Sequence, residues 1–305
     1  MAFAAFGSTA GAPAEQAPRR KSRVAIVLLL PGLAYLALFF LTPLVSLVLT
    51  SLQEPVEYGD VGQYQAAFKI ENYVIAVQNY WPHFLRAFGY AIAATVFALL
   101  ISYPLAYFIG VKARRWPLLQ ALMLTLVIAP FFISFLLRTL AWKQLMADDS
   151  GIVTFLKLLS ILPADGHLTG TAFSVIFGLT YNFVPFMTLP IYATLERLDT
   201  RYLEAGSDLY ASPASTFWRV TLPLSMPGII SGTLLTFIPA SGDFINASAS
   251  FLGSAQTQMV GNVIEAQFLN LLNYPLASAL SVILMGLTLA IVAIYVKRSG
   301  TEDLL

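Results

Sequence analysis

Residue types that perform chemistry are scarce in this chain of 305 residues. It has no cysteine, which excludes disulfides and thiolate metal sites, and its two histidines, His83 and His167, stand far apart in the sequence. None of its lysines follows a glycine, so the phosphate-binding loop of an ATPase is absent. The sequence therefore does not indicate an enzyme, and we expect no metal or cofactor bound by this chain itself.

Charged and aromatic side chains are concentrated in residues 196–228, between two long apolar runs. Apolar residues recur at helical spacing over residues 199–209, on the opposite side from the charges, and predict a short amphipathic helix. Ser212 followed by Pro213 predicts the cap and first residue of a second helix, which we expect to end before Pro223.

The loop formed by residues 196–223 is longer than a connection between two spans requires. A projecting helix with an aromatic pair, here Phe217 and Trp218, is a common means of filling a groove on a partner protein. The alternative is that both rings are buried against the ends of the neighbouring spans, as aromatic residues near a membrane interface usually are. The two capped helices favour docking, so we expect both rings to face a partner.

The composition is typical of an integral membrane protein. Of the residues, 58% are hydrophobic and 11% charged, and the mean hydropathy is +0.74. Hydropathy predicts an all-α protein with six transmembrane helices, because a helix satisfies its own backbone hydrogen bonds in lipid. The predicted spans cover about residues 24–50, 87–110, 118–137, 171–195, 224–242 and 276–296. A net charge of +1 gives no reason to expect nucleic acid as a partner.

The basic residues predict the orientation of the spans in the bilayer. Twelve of the seventeen lysines and arginines lie in the first 23 residues, the turn at 112–115, the 196–223 loop and the end of the last span. Both termini and the 196–223 loop are therefore predicted to be cytoplasmic. Residues 1–23 should form a disordered basic tail and residues 299–305 a short carboxy-terminal tail, which leaves residues 24–298 as one membrane domain.

The predicted spans contain no Asp, Glu, Lys, Arg or His before Asp243, which follows the fifth span. Carriers driven by protons or ions usually hold ionisable groups at membrane depth. A self-sufficient secondary transporter or channel is therefore a less favoured alternative. The predicted outer loops, 51–86 and 138–170, are mildly acidic, which suits a cationic ligand but is also commonplace.

Within residues 204–232, the segments EAG, LYAS and FWRVTLPLSMPGIISG resemble the EAA loop of binding-protein-dependent ABC importer permeases. Gly206 stands where that family has a second alanine, and Tyr210 where it has a glycine that permits a sharp turn. The resemblance implies that the loop docks on an ATP-binding subunit. The docking residues would be Glu204, Ala205, Gly206, Ser212, Pro213, Phe217 and Trp218.

Four further segments resemble the spermidine/putrescine permease group of the PotB and PotH type. They are PFFISFLLRTLAW from residue 130, YNFVPFMTLPIYATLERLD from residue 181, LLTFIPASGDF from residue 234 and MVGNVIEAQF from residue 259. The group often continues Gly-Asp-Phe with Val-Thr-Pro, whereas Ile245, Asn246 and Ala247 stand here. The resemblance implies a type I ABC importer permease fold and polyamine import, with another small cationic or organic solute as the alternative.

By the same resemblance the chain would perform no chemistry itself. The implied partners are two ATP-binding subunits that hold ATP and Mg, a second homologous permease and an extracytoplasmic solute-binding protein, all at a bacterial cytoplasmic membrane. Hydrolysis of ATP in the partner would move the 196–223 loop and switch the helices between inward-facing and outward-facing states.

A polyamine is a flexible chain of ammonium groups, so its pathway calls for carboxylates, amide oxygens and aromatic faces. The candidates are Asp243, Phe244, Tyr181, Asn182 and Glu265. Three of them have alternatives: local backbone amides could satisfy Asp243, Asn182 could join helices by hydrogen bonding, and Glu265 could contact the binding protein.

Overall fold

A computed structural model describes residues 23–199 and 201–299. The predicted basic tail up to residue 22 and the carboxy-terminal residues from 300 onward lie outside the described residues. The chain divides into two units, residues 1–46 and residues 47–305.

The described chain is helical apart from one short ribbon. Helices α1 to α12 run over Arg23–Leu36, Thr42–Ser51, Glu71–Tyr107, Pro117–Ile128, Phe135–Leu145, Gly151–Leu158, Ala172–Glu196, Arg201–Asp208, Pro213–Thr216, Leu222–Ser241, Val260–Glu265 and Tyr274–Arg298. π-helical turns cover Ala37–Leu41, Phe108–Lys112, Phe217–Thr221 and Ala266–Asn270, and 3-10 turns cover Ala113–Arg115 and Ala129–Phe132. The ribbon pairs β1 (Glu54–Pro55) antiparallel with β2 (Tyr64–Gln65), with Glu54 opposite Gln65.

The described part of the first unit contains α1, the π-helical turn after it and the start of α2. Its large apolar side chains are exposed: Leu29, Leu33 and Phe40 expose 61%, 60% and 65% of their surface. Such a surface is suited to lipid contact.

Five helical stretches of the described residues are long and apolar enough to cross a membrane: Leu28–Ser51, Glu71–Arg115, Ala172–Glu196, Pro213–Ser241 and Tyr274–Arg298. A sixth crossing results if the bent pair Pro117–Phe132 and Phe135–Leu145 counts as one span. The predicted six-span architecture is therefore reached only with this pair, and three of the predicted helices differ in extent or continuity from those of the structure.

The helix that contains the second predicted span begins well before residue 87, because α3 starts at Glu71. One face of α3 is buried from its first turn through the predicted boundary, including Ala76, Phe84 and Ala91. This stripe passes Pro82 without a break. Burial of a continuous helical face thus outweighs the helix-breaking tendency of a single proline.

The third span is broken rather than straight. Helices α4 and α5 meet at an angle of 96°. Pro130 lies in the 3-10 turn between them, and Ile133 is extended at φ −105° and ψ 133°. Helix α5 brings Arg138 into the interior with 8% of its surface exposed. The expectation that no ionisable residue precedes Asp243 in the spans is therefore wrong if the bent pair is one span.

The second helix of the 196–223 loop was predicted to end before Pro223, but it continues past this residue. Residues Pro213–Ser241 form one continuous helical stretch that includes Pro223. The π-helical turn Phe217–Thr221 lies immediately before this proline. Such local π adjustments accommodate prolines in membrane helices, so the loop helix and α10 are one element.

The core consists of α3, α7 and α10, which pack on one another, and α12 packs on α3. Glycines bring α10 close to α7. A Cβ at Gly228 would lie 2.7 Å from the Pro190 carbonyl oxygen, and one at Gly232 would lie 2.9 Å from that of Met187. Helices in lipid associate through such small residues, because lipid supplies no hydrophobic drive between them.

Gly228→Ala should therefore destabilise the protein by about 1–3 kcal/mol, the usual cost of overpacking a tight contact. Thermal unfolding of the purified protein in detergent measures the effect. Gly286→Ala is the matched control, because a Cβ at Gly286 in α12 meets nothing within 4 Å. An equal midpoint for Gly228→Ala and the parent protein would contradict the close α7–α10 contact.

Candidate functional site

The 196–223 loop contains the two helices expected from its sequence. Helix α8 covers Arg201–Asp208, slightly shorter than the predicted 199–209. Helix α9 begins at Pro213, and the hydroxyl oxygen of Ser212 accepts a hydrogen bond from the Ser215 N–H at 3.2 Å. The predicted cap and first residue of the second helix are confirmed.

Between α8 and α9 the chain turns through a left-handed residue, Tyr210, with φ 56°. The Ala211 N–H donates to the Gly206 carbonyl oxygen at 3.0 Å, which closes a Schellman-type end on α8. Tyr210 therefore occupies the position where glycine is usual. Its side chain is fully exposed, so the departure from the family pattern affects only the backbone of the turn.

Gly206, the second departure from the EAA pattern, lies where α8 and α9 approach each other. A Cβ at this position would lie 2.9 Å from the Thr216 hydroxyl oxygen. An alanine would require this neighbour to move, so the glycine permits the close contact between the two loop helices.

The aromatic pair of the loop divides between two environments, which corrects the expectation that both rings face a partner. Phe217 packs edge-on against Tyr103 and Tyr107 of α3, with ring centroids 5.5 and 6.1 Å apart. Trp218 exposes 66% of its surface. Glu204, like Trp218, is exposed. Phe217 therefore holds the loop against α3, and Trp218 is left available for docking.

At the other end of α10, four buried polar residues form what we call the asparagine cluster: Thr139, Asn182, Asp243 and Asn246. Asn182 donates from its amide nitrogen to the Thr139 hydroxyl and to the Asn246 amide oxygen, each at 3.2 Å. Asn246 donates from its backbone and side chain to the two carboxylate oxygens of Asp243, at 2.8 and 3.0 Å. The cluster thus joins α5, α7 and the segment that follows α10.

The irregular segment 242–259 is seated on α7 by close contacts. A Cβ at Gly178 would lie 2.6 Å from the Asn246 amide oxygen and 2.4 Å from a methyl carbon of Leu252. The Ser174 hydroxyl donates to the Leu252 carbonyl oxygen at 2.8 Å, and the Lys143 ammonium to the Ser250 carbonyl oxygen, also at 2.8 Å. The segment is therefore part of the packed protein.

Asp243 lies two residues beyond the end of α10 and exposes 6% of its surface. Burial raises the pKa of its carboxyl group to about 6, although hydrogen bonds from Asn246 and Ala247 oppose the rise. The contacts of Asp243 agree with the alternative named above, in which nearby backbone amides satisfy its carboxylate. Asn182 likewise joins helices, and neither side chain faces an open passage in this conformation.

The other predicted pathway residues are more accessible than the members of the asparagine cluster. Tyr181 is half-buried, stands edge-on to Trp142 at 5.1 Å and lines a mainly apolar cavity of about 410 Å³ between α3, α4 and α7. Phe244 is 45% exposed. Glu265 is half-buried on α11.

Sequence reasoning missed Thr139 and Asn246 as members of the cluster. One local signal was available for Asn246. Aspartate side chains in turns often accept hydrogen bonds from the backbone N–H groups of the residues that follow them, and Asp243 accepts from Asn246 in this way. The contact of Asn246 with Asn182 spans 64 positions and has no local signal.

The fold is shared with solved permeases of ABC importers. A bacterial importer of the acidic polysaccharide alginate matches with a TM-score of 0.61 and 15% identity, over 92% of this chain and 96% of that one. The same type of transporter, in complex with an alginate pentasaccharide-bound periplasmic protein, matches at 0.62. The methionine transporter MetNI matches at 0.55, with 18% identity over 76% of this chain and 97% of that one.

The chain belongs to the family of binding-protein-dependent transport system inner membrane components, whose signature matches residues 102–298. It is similar to the spermidine/putrescine permease PotB of Salmonella typhimurium, with 32% identity over 90% of this chain and 94% of the relative. PotB of Haemophilus influenzae is 40% identical over 68% of this chain and 70% of the relative. The chain is thus an inner-membrane permease subunit and not an enzyme.

The raised pKa of Asp243 predicts a pH dependence of stability. The folded protein holds this proton more tightly than the unfolded chain, where an aspartate titrates near pH 4. The stabilising contribution is therefore complete below about pH 4 and is lost as the pH rises through about 6, a change of about 3 kcal/mol. Thermal unfolding measured from pH 4 to pH 7.5 should show this decline.

Asp243→Asn should remove the decline, and the control Asp165→Asn, at an exposed position, should retain it. A parent protein whose unfolding temperature does not fall between pH 4 and pH 7.5 would contradict the assignment.

Proposed function

We propose that this permease imports polyamines such as spermidine or putrescine. The observation that carries the proposal is the similarity to PotB proteins across up to 90% of the chain. The chain would provide half of a passage and convert the motion of an ATPase partner into alternating access.

The proposed assembly contains two ATP-binding subunits that hold ATP and Mg, a second homologous permease and an extracytoplasmic solute-binding protein. Both termini and the 196–223 loop lie on the cytoplasmic side in this proposal, in accordance with the basic residues near them. The complex of the alginate transporter with a periplasmic protein supports a binding-protein partner.

The 196–223 loop is the proposed docking element for an ATP-binding subunit. Trp218 supplies an exposed aromatic anchor and Glu204 an exposed carboxylate on the preceding helix. Ala205, Gly206, Ser212 and Pro213 set the shape of the two helices. Because α9 continues into α10, displacement of the loop is transmitted directly to a transmembrane helix.

For the pathway, we assign direct contact with an ammonium chain to Tyr181, Phe244 and Glu265. Aromatic faces and a carboxylate attract such a cation. Asp243 and Asn182 contribute through the asparagine cluster, which fixes the segment that carries Phe244. Import of another small cationic or organic solute is the alternative, and the similarity to the ABC transporter permease YdcU, 32% identical over 72% of this chain, keeps it open.

The substrate proposal predicts that spermidine or putrescine, with its binding protein, raises ATP hydrolysis by the complex reconstituted in proteoliposomes and enters the vesicles. Amino acids and sugars serve as control solutes. ATP hydrolysis that responds to a control solute but to neither polyamine would rule out polyamine import. Uptake by this chain alone without ATP would instead establish a self-sufficient carrier.

The docking proposal predicts that Trp218→Ala lowers copurification of the ATPase about thirtyfold, since a central interface tryptophan contributes about 2 kcal/mol. Trp81→Ala is the matched control, because Trp81 is similarly exposed, at 54%, but lies in α3. Pull-down of the tagged permease from detergent extracts measures the effect. Undiminished ATPase recovery with Trp218→Ala would show that the partner docks elsewhere.

A further inference from the structure

Arg114 connects two transmembrane elements at the base of the 196–223 loop. It lies in the 3-10 turn between α3 and α4. Its guanidinium donates to the carbonyl oxygens of Leu195 at 2.6 Å and Leu198 at 3.0 Å, and also to that of Glu196. The Nε–H donates to the carbonyl oxygen of Gly110, in its own segment. One side chain thus binds the end of α7 at three points.

The end of α7 is a favourable place for this cation. The last carbonyls of a helix lack intrahelical partners and form the negative end of its dipole. The planar fork of arginine can satisfy several of them together, which the ammonium group of lysine cannot do in the same geometry. Gly110 allows the α3–α4 turn to approach the end of α7, since a Cβ at Gly110 would lie 3.2 Å from the Cβ of Leu195.

A second set of contacts surrounds this clamp and reinforces the same connection. The Tyr192 hydroxyl donates to the Glu196 carboxylate at 2.5 Å. The side-chain amide of Gln120, in α4, donates to the Tyr192 hydroxyl at 3.3 Å. The last turn of α7 is therefore joined to the α3–α4 turn by Arg114 and to α4 by Gln120.

We propose that Arg114 is a positioning residue that locks the base of the 196–223 loop to the α3–α4 turn, so that the two move as one body during transport. The inference rests on the proposed docking role of the loop. Helix α10 continues from the far end of the loop, and Arg114 connects its near end to α3. Motion imposed on the loop then reaches both neighbours of α7 at once.

A distance measurement tests the clamp without substrate or hydrolysis. Because the chain has no cysteine, Lys112→Cys and Leu209→Cys, both at exposed positions, place two unique spin labels on the turn and on the loop. In the assembled complex the parent should show one narrow distance distribution that ATP with vanadate leaves unchanged. Arg114→Gln should broaden it, and Arg114→Lys should broaden it less.

Arg115→Gln is the matched control, since the Arg115 guanidinium lies over Trp116, 5.1 Å from the ring centroid. It should keep the narrow distribution. A distribution in Arg114→Gln as narrow as that of the parent would overturn the proposal, whether or not polyamine transport is observed.

Coupling provides the second readout. With spermidine and its binding protein as the probe, Arg114→Gln should lower transport per ATP hydrolysed about tenfold, which corresponds to about 1.4 kcal/mol, while the ATPase still copurifies. Arg115→Gln should leave the ratio unchanged. An unchanged ratio in Arg114→Gln would overturn the coupling role. A parent that responds to no polyamine would instead refute the proposed substrate, and the distance measurement would still decide on the clamp.

Discussion

The fold depends on the close approach of α7 to its two neighbours. In lipid, apolar side chains gain little by leaving the solvent for each other, so helices hold together through close van der Waals contact and through hydrogen bonds between polar groups. Gly228 and Gly232 bring α10 onto α7, and Gly110 brings the end of α3 onto it. Fully buried alanines on α3 serve the same purpose, and Ala91 and Ala98 are examples. A larger side chain at these points would separate the helices that carry both candidate sites.

Polar groups bind α7 at its start, along its length and at its end. At its start, Thr171 and Ser174 cap the helix reciprocally, each accepting from the backbone of the other at 3.2 Å. Nearby, Asn182 binds the asparagine cluster. At its end, Arg114 satisfies the terminal carbonyls. Because buried polar groups are costly when unpaired, these hydrogen bonds favour defined positions for the segments that contact α7.

The sequence was sufficient where a feature depends on neighbouring residues. Apolar run length indicated a membrane protein of several helical spans, and Ser212 with Pro213 located a cap that the structure confirms. It was insufficient where distant residues decide. The start of α3 is held by contacts with distant residues, such as the hydrogen bond from Gln267 to the Tyr80 hydroxyl, and the bend after Pro130 places α5 against α7. Phe217 and Trp218 are consecutive residues whose side chains point in different directions from the helix, so which ring faces α3 cannot be inferred without the position of α3.

Two residues of the 196–223 loop, Tyr210 and Gly206, depart from the family pattern, and the loop still forms its two helices. A left-handed residue other than glycine costs about 1–2 kcal/mol. At Tyr210 the cost is confined to the turn, since the side chain is fully exposed and displaces nothing. At Gly206 the chain has a glycine where the family pattern has an alanine, and the smaller residue allows Thr216 to approach. The surface that we propose for docking depends instead on Trp218, whose place is set by the π-helical turn before Pro223 and by the packing of Phe217 on α3. The contacts that orient the proposed docking surface are thus separate from the turn in which this chain departs from the EAA pattern.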